Sequence, residues 1–140
     1  MLFIYLILII GLIMMLFLLS SRRLAAKDDR VPVDERFAAL AQELNSLLFD
    51  GEGRVTLSPS DNQTMLLTSD TKRYMAVEVT RLSGSLRLTV YHKFLNETFS
   101  HQAWVHDLWN ATPERQREIS QRFAAIAKEK IEEHRKSSLF

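Results

Sequence analysis

The sequence predicts an α+β protein: a single N-terminal transmembrane helix, then a two-layer domain of one helix, an antiparallel meander of four to five strands, and a long C-terminal helix. Three observations lead there. Residues 1–19, MLFIYLILIIGLIMMLFLL, carry no charge. Two later stretches, around 37–48 and 113–131, repeat apolar residues at helical spacing. Between them apolar and polar residues alternate in short runs separated by polar turns. Two amphipathic helices laid on one face of an antiparallel sheet give two layers around one core.

The leading run, at ~1.5 Å per residue, reaches just under ~30 Å, the thickness of a hydrocarbon core. In lipid such a segment must satisfy its own backbone hydrogen bonds, so it is a helix. Tyr5 suits the interface, and Gly11 has no small partner four residues away to make a dimerising face. A cleaved signal peptide is the competing reading. It would have a basic leader and a shorter apolar core of ~7–15 residues. Nothing basic precedes this run, and Ser20-Ser21 and Ala25-Ala26 are weak cleavage sites, so an uncleaved anchor is expected.

Orientation follows from Lys/Arg asymmetry. Arg22, Arg23, Lys27 and Arg30 all follow the span. They are the topology determinants, and they place the N-terminus outside and residues 20–140 on the cytoplasmic side of a bacterial inner (plasma) membrane. Three N-x-T sequons, at Asn62, Asn96 and Asn110, point instead to an exported, glycosylated domain. Chance accounts for them more simply, and Pro113 spoils the third.

Residues 20–33 are the juxtamembrane linker, ended by Pro32, which disfavours helical backbone in the residue before it. The globular domain covers 34–136, with 137–140 as a frayed tail. Its first helix starts with Asp34 as N-cap and buries Phe37, Leu40, Ala41, Leu44, Leu47 and Leu48 in one stripe. Gly51 and Gly53 end it. Strands are expected at 54–58, 63–69, 73–80 and 86–94, with a turn cluster at 58–62 and a tight hairpin at Ser83-Gly84-Ser85. Asn96-Glu97-Thr98 reads as another turn, and 99–105 as a fifth strand with Phe99, His101, Ala103 and Val105 on one side. A short helix there is the alternative. The last helix has Thr112 as N-cap, Pro113 at its first position, and a stripe of Ile119, Phe123, Ile126, Ala127 and Ile131. Glu118–Arg122 and Glu132–Lys136 are its exposed ion pairs.

Composition narrows the function. A net charge of +1 gives no basic stripe for nucleic acid. Without cysteine there is no disulfide, thiolate metal site or cysteine nucleophile. There is no G-x-S-x-G elbow and no glycine-rich phosphate loop. His92, His101 and His106 have no carboxylate at ligand spacing and are expected to be structural. No catalytic residue, metal or cofactor is therefore expected, and the chain is not expected to be an enzyme.

Aromatic residues cluster late in the chain. Tyr91, Trp104 and Trp109, with His101, are the candidate contacts for a protein partner, because Trp and Tyr are enriched at interface hot spots. On a fifth strand Trp104 falls opposite Phe99 and Val105. The expected function is a membrane-anchored interaction or scaffolding module, bound to the bilayer through 1–19 and to an unidentified protein. A tethered small-ligand or lipid binder is the alternative, since a curved sheet under two helices can hold an apolar pocket, with a methionine-rich interior (Met65, Met75) as its support.

Overall fold

The structure is a computed structural model. It describes all residues but 59–61, 109–110 and 139–140, and no side chain of 20–30 or 138. The protein is α+β, with four helices and five strands among the described residues: α1 (Leu2–Arg30), α2 (Val33–Arg36), α3 (Ala38–Phe49), β1 (Arg54–Leu57), β2 (Thr64–Thr68), β3 (Met75–Leu82), β4 (Ser85–Phe94), β5 (Glu97–Val105) and α4 (Pro113–Ser138).

Among the described residues one helix is long and apolar enough to cross a membrane. Its segment Leu2–Leu19 has mean hydropathy 3.2 and no buried residue. A membrane anchor and a signal sequence both have these properties. Helix α1 continues through residues 20–30 to Arg30, so only Val31 and Pro32 separate it from α2. Nothing in 20–30 breaks a helix, and Pro32 stops it only locally.

The sheet is a five-stranded meander in the order β1-β2-β3-β4-β5, every pair antiparallel. Two-residue hairpin loops of type I′ need φ > 0 at both central positions, to match strand twist. Ser83 and Gly84 meet this at 42° and 80°, and Leu95 and Asn96 at 50° and 67°. The second turn is thus Leu95-Asn96 rather than 96–98, and Glu97 and Thr98 begin β5. Asparagine tolerates positive φ, so Asn96 has a local reason to be there. The turn cluster at 58–62 lies mostly outside the described residues.

Met65, Leu67, Val77, Val79, Leu86, Leu88 and Val90 point to one face and are fully buried. They pack against Phe37, Leu40, Leu44 and Leu48 of the first helical stretch and Ile119, Phe123 and Ala127 of α4. Met65 and Met75 belong to this core, at 0% and 7% exposure. Ile126 does not. It is 43% exposed, because it sits ~100° around the helix from Ala127. Arg81 is also buried, with its Nε donating to Gln63 Oε1 at 2.7 Å.

The first helix is broken at Phe37 (φ −113°, ψ 36°) into α2 and α3. Its cap is Pro32, not Asp34, whose carboxylate accepts only the neighbouring Glu35 N–H. Helix α4 repairs the break. The buried Gln116 accepts the Leu40 N–H on Oε1 and donates Nε2 to the Arg36 and Ala111 carbonyls. Ser120 Oγ donates to the Leu40 carbonyl at 2.9 Å. At its other end α3 is closed by Asp50 in the left-handed region, then Gly51. Asn45 Oδ1 accepts the Gly53 N–H at 2.7 Å, and a Cβ on Gly53 would sit 2.6 Å from that oxygen, so a larger residue there must displace the Asn45 side chain.

Helix α4 is capped as expected, with the Arg115 N–H donating to Thr112 Oγ1. Glu118 pairs with Arg122 at 2.6 Å. Glu132 pairs with Arg135, not Lys136. The helix runs to Ser138.

Candidate functional site

Two regions of the domain carry side chains that packing alone does not use. Both involve the β4–β5 hairpin, on opposite faces and at opposite ends.

The first is the sheet face that the helices leave open. Strand β4 puts Arg87, Thr89 and Tyr91 there, opposite Trp104, Gln102 and Ser100 of β5. Trp104 is 48% exposed. Its ring lies 5.8 Å from the Arg87 guanidinium and stacks on His106 at 6.3 Å. Arg87 is steered from the other side by Glu78 at 3.6 Å. His106 Nδ1 is 2.9 Å from Ser85 Oγ. An exposed indole is thereby held in one orientation by a cation, an imidazole and their partners. Beside it, Thr89 Oγ1 and Arg87 Nε are buried without hydrogen-bond partners among the described residues.

The expected contact residues do not form one patch. Tyr91 shares the open face, but a full cross-strand pair separates it from the Trp104 position, so the two are roughly 13 Å apart along the ladder. His101 is opposite Val90 and faces the helix side, away from Trp104. Strand alternation requires this, because 101 and 104 differ by an odd number. Trp109 lies outside the described residues.

The second region is a pocket on the helix side, at the far end of β4. His92 is 2% exposed, and its Nδ1 is 3.1 Å from Nδ1 of His134 on α4. Tyr74 meets the His92 ring edge-on at 5.6 Å. Phe99 stacks on His134 at 5.2 Å, and Glu97 Oε2 is 3.6 Å from His134 Nε2. Arg135 lies over the Phe94 ring at 5.6 Å. Tyr74, His92, Lys93, Phe94, Ile131 and Arg135 line a cavity of about 340 Å³. Among the described residues no three His, Cys, Asp or Glu side chains are placed to hold a metal ion.

His134 and Glu97 were not singled out in the sequence. A signal for His134 exists: it lies three residues past Ile131 and seven past Ala127, on the buried stripe. Glu97 had none, because its role depends on where the hairpin turns.

The histidine contact has a pH consequence. Two Nδ1 atoms in hydrogen-bond contact need one proton between them, so only one ring can carry a proton on both nitrogens. Burial, then the charges of His134 and Arg135, push the His92 pKa below 6.5. The folded state therefore binds fewer protons at His92 than the unfolded chain does. The stabilisation is complete above pH 6.5 and is lost as pH falls through the lowered folded value. The melting temperature of the full chain is expected to drop between pH 7.5 and 5.5, and His92→Phe to flatten that dependence. An unchanged slope in His92→Phe would contradict this origin.

Comparison with known proteins adds no family: no family model, no curated protein and no solved structure matches this chain.

Proposed function

We propose that this chain is a membrane-anchored docking module, not an enzyme, which offers the open face of its sheet to a protein partner. The observation that carries the reading is Trp104, half exposed on the face no helix covers and fixed between Arg87 and His106. Rigid aromatic residues beside arginine are the usual anchors of interface hot spots, and a ring already held in place loses little entropy on binding. The apolar segment Leu2–Leu19 serves as the tether. Holding the domain at a surface raises its effective concentration near a partner in the same membrane.

The basic cluster Arg22, Arg23, Lys27 and Arg30 follows the span, which favours a cytoplasmic domain and an outside N-terminus in a bacterial plasma membrane. One of the sequon asparagines has a structural use of its own: Asn96 forms the β4–β5 turn.

Anchoring and orientation are tested together. The full chain is expected to stay with membranes after alkaline carbonate washing, and a chain lacking residues 1–30 to be released. A green fluorescent protein fused after residue 140 is expected to fluoresce, and an alkaline phosphatase fusion to be inactive. Release of the full chain, or an active phosphatase, would overturn the tethered cytoplasmic assignment.

A further inference from the structure

The cavity between β4 and the last turns of α4 has no part in the docking reading. It opens on the helix side, at the Phe94 end of β4, whereas Trp104 pairs near the Ser85 end on the other face. We propose that it is a binding site for a small organic anion: a carboxylate on a compact aromatic body.

Its size comes first. About 340 Å³ is at the small end of ligand pockets, enough for a single ring and its substituent. Its walls come next. Tyr74 and His92 meet edge to face, His92 and Phe94 lie parallel at 6.3 Å, and Ile131 fills the side toward α4. Three rings in these orientations offer a planar guest both faces and edges, the geometries aromatic pairs prefer.

Charge then selects the guest. The lining holds Lys93 and Arg135 and no carboxylate. Strand alternation turns the Lys93 side chain to the open face beside Thr98, and its backbone N–H, held by the Tyr74 carbonyl at 2.8 Å, borders the cavity, so Arg135 is the cation on the cavity side. Arg135 pairs with Glu132 only at 3.7 Å, with its guanidinium over Phe94. A planar fork over an aromatic wall is suited to grip a carboxylate while the ring of the guest lies on apolar surface. Cationic guests are repelled by the same guanidinium. A bare inorganic anion would leave Tyr74, Phe94 and Ile131 unused.

The probe is 4-fluorobenzoate, observed by fluorine NMR with the full chain in zwitterionic nanodiscs and empty discs as the blank. A saturable shift or broadening is expected, displaced by benzoate and much weaker for the neutral 4-fluorobenzamide. The double variant Lys93→Gln, Arg135→Gln alters two solvent-reaching side chains. It is expected to keep its circular dichroism and to bind about tenfold more weakly, the effect of losing one charge-assisted contact. Ile131→Trp, which fills the cavity and leaves both cations, is expected to abolish binding. No saturable signal, equal binding of the benzamide, undiminished binding by the double variant, or displacement by inorganic phosphate as effective as by benzoate would each overturn the assignment.

Discussion

Replacing Gln116 with leucine is expected to lower the unfolding free energy of the domain by about 3 kcal/mol, the largest single-residue stability effect outside the apolar core. The side chain is 3% exposed. The break at Phe37 leaves α3 starting afresh, and the first N–H groups of a helix have no partner within it. Gln116 answers from α4 by accepting the Leu40 N–H and donating to two carbonyls, those of Arg36 and Ala111. Leucine fills the space but leaves the Leu40 N–H and the Arg36 carbonyl without Gln116. The Ala111 carbonyl keeps Arg36 Nη1, at 3.2 Å. A buried orphan group costs ~1–3 kcal/mol and each lost bond ~1 kcal/mol, which sets the total. For a domain of this size the melting temperature should fall by about 14 °C. Urea unfolding of the full chain, followed by tryptophan fluorescence, measures the change. A loss below about 1 kcal/mol would mean that water or a local shift of α3 replaces the glutamine.

Trp104→Ala is expected to leave stability nearly untouched and to remove partner binding. The indole is half exposed, so truncation empties no cavity. If it anchors a docked protein, its loss weakens the complex by about 2 kcal/mol or more, roughly 30-fold. Protein recovered with the full chain from gently solubilised membranes should fall accordingly. Trp104→Phe should retain part of it, because Arg87 keeps an aromatic face. Tyr91→Ala should have a smaller effect, since Tyr91 lies a full cross-strand pair away from the tryptophan position. His101→Ala should have none on docking, because His101 faces the helices.

The sequence carried the layout of this fold because each element is patterned on one face. The strict alternation of β3 and β4 gave their partners and their buried side, and on the strand reading of 99–105, with a short helix as the alternative, alternation put Trp104 opposite Phe99 and Val105. Boundaries set by backbone geometry were less visible. Leucine is a poor residue for positive φ, so nothing in Leu95 announced the β4–β5 turn, and Glu97 was read as turn instead of strand. The break at Phe37 was equally hidden. Its stripe continues across α2 and α3, and the groups that pay for the break come from α4, almost eighty positions later. The pocket was hidden for the same reason. His92 and His134 are 42 residues apart, and each is unremarkable alone.

Site-specific photocrosslinking in intact membranes tests the docking account most directly. A benzophenone amino acid replaces Trp104 on the open sheet face in one chain and Glu129 on the exposed side of α4 in another. A discrete heavier adduct from position 104 and none from position 129 is the predicted result. No adduct from 104, or the same adducts from both positions, would contradict the assignment of the sheet face as the docking surface.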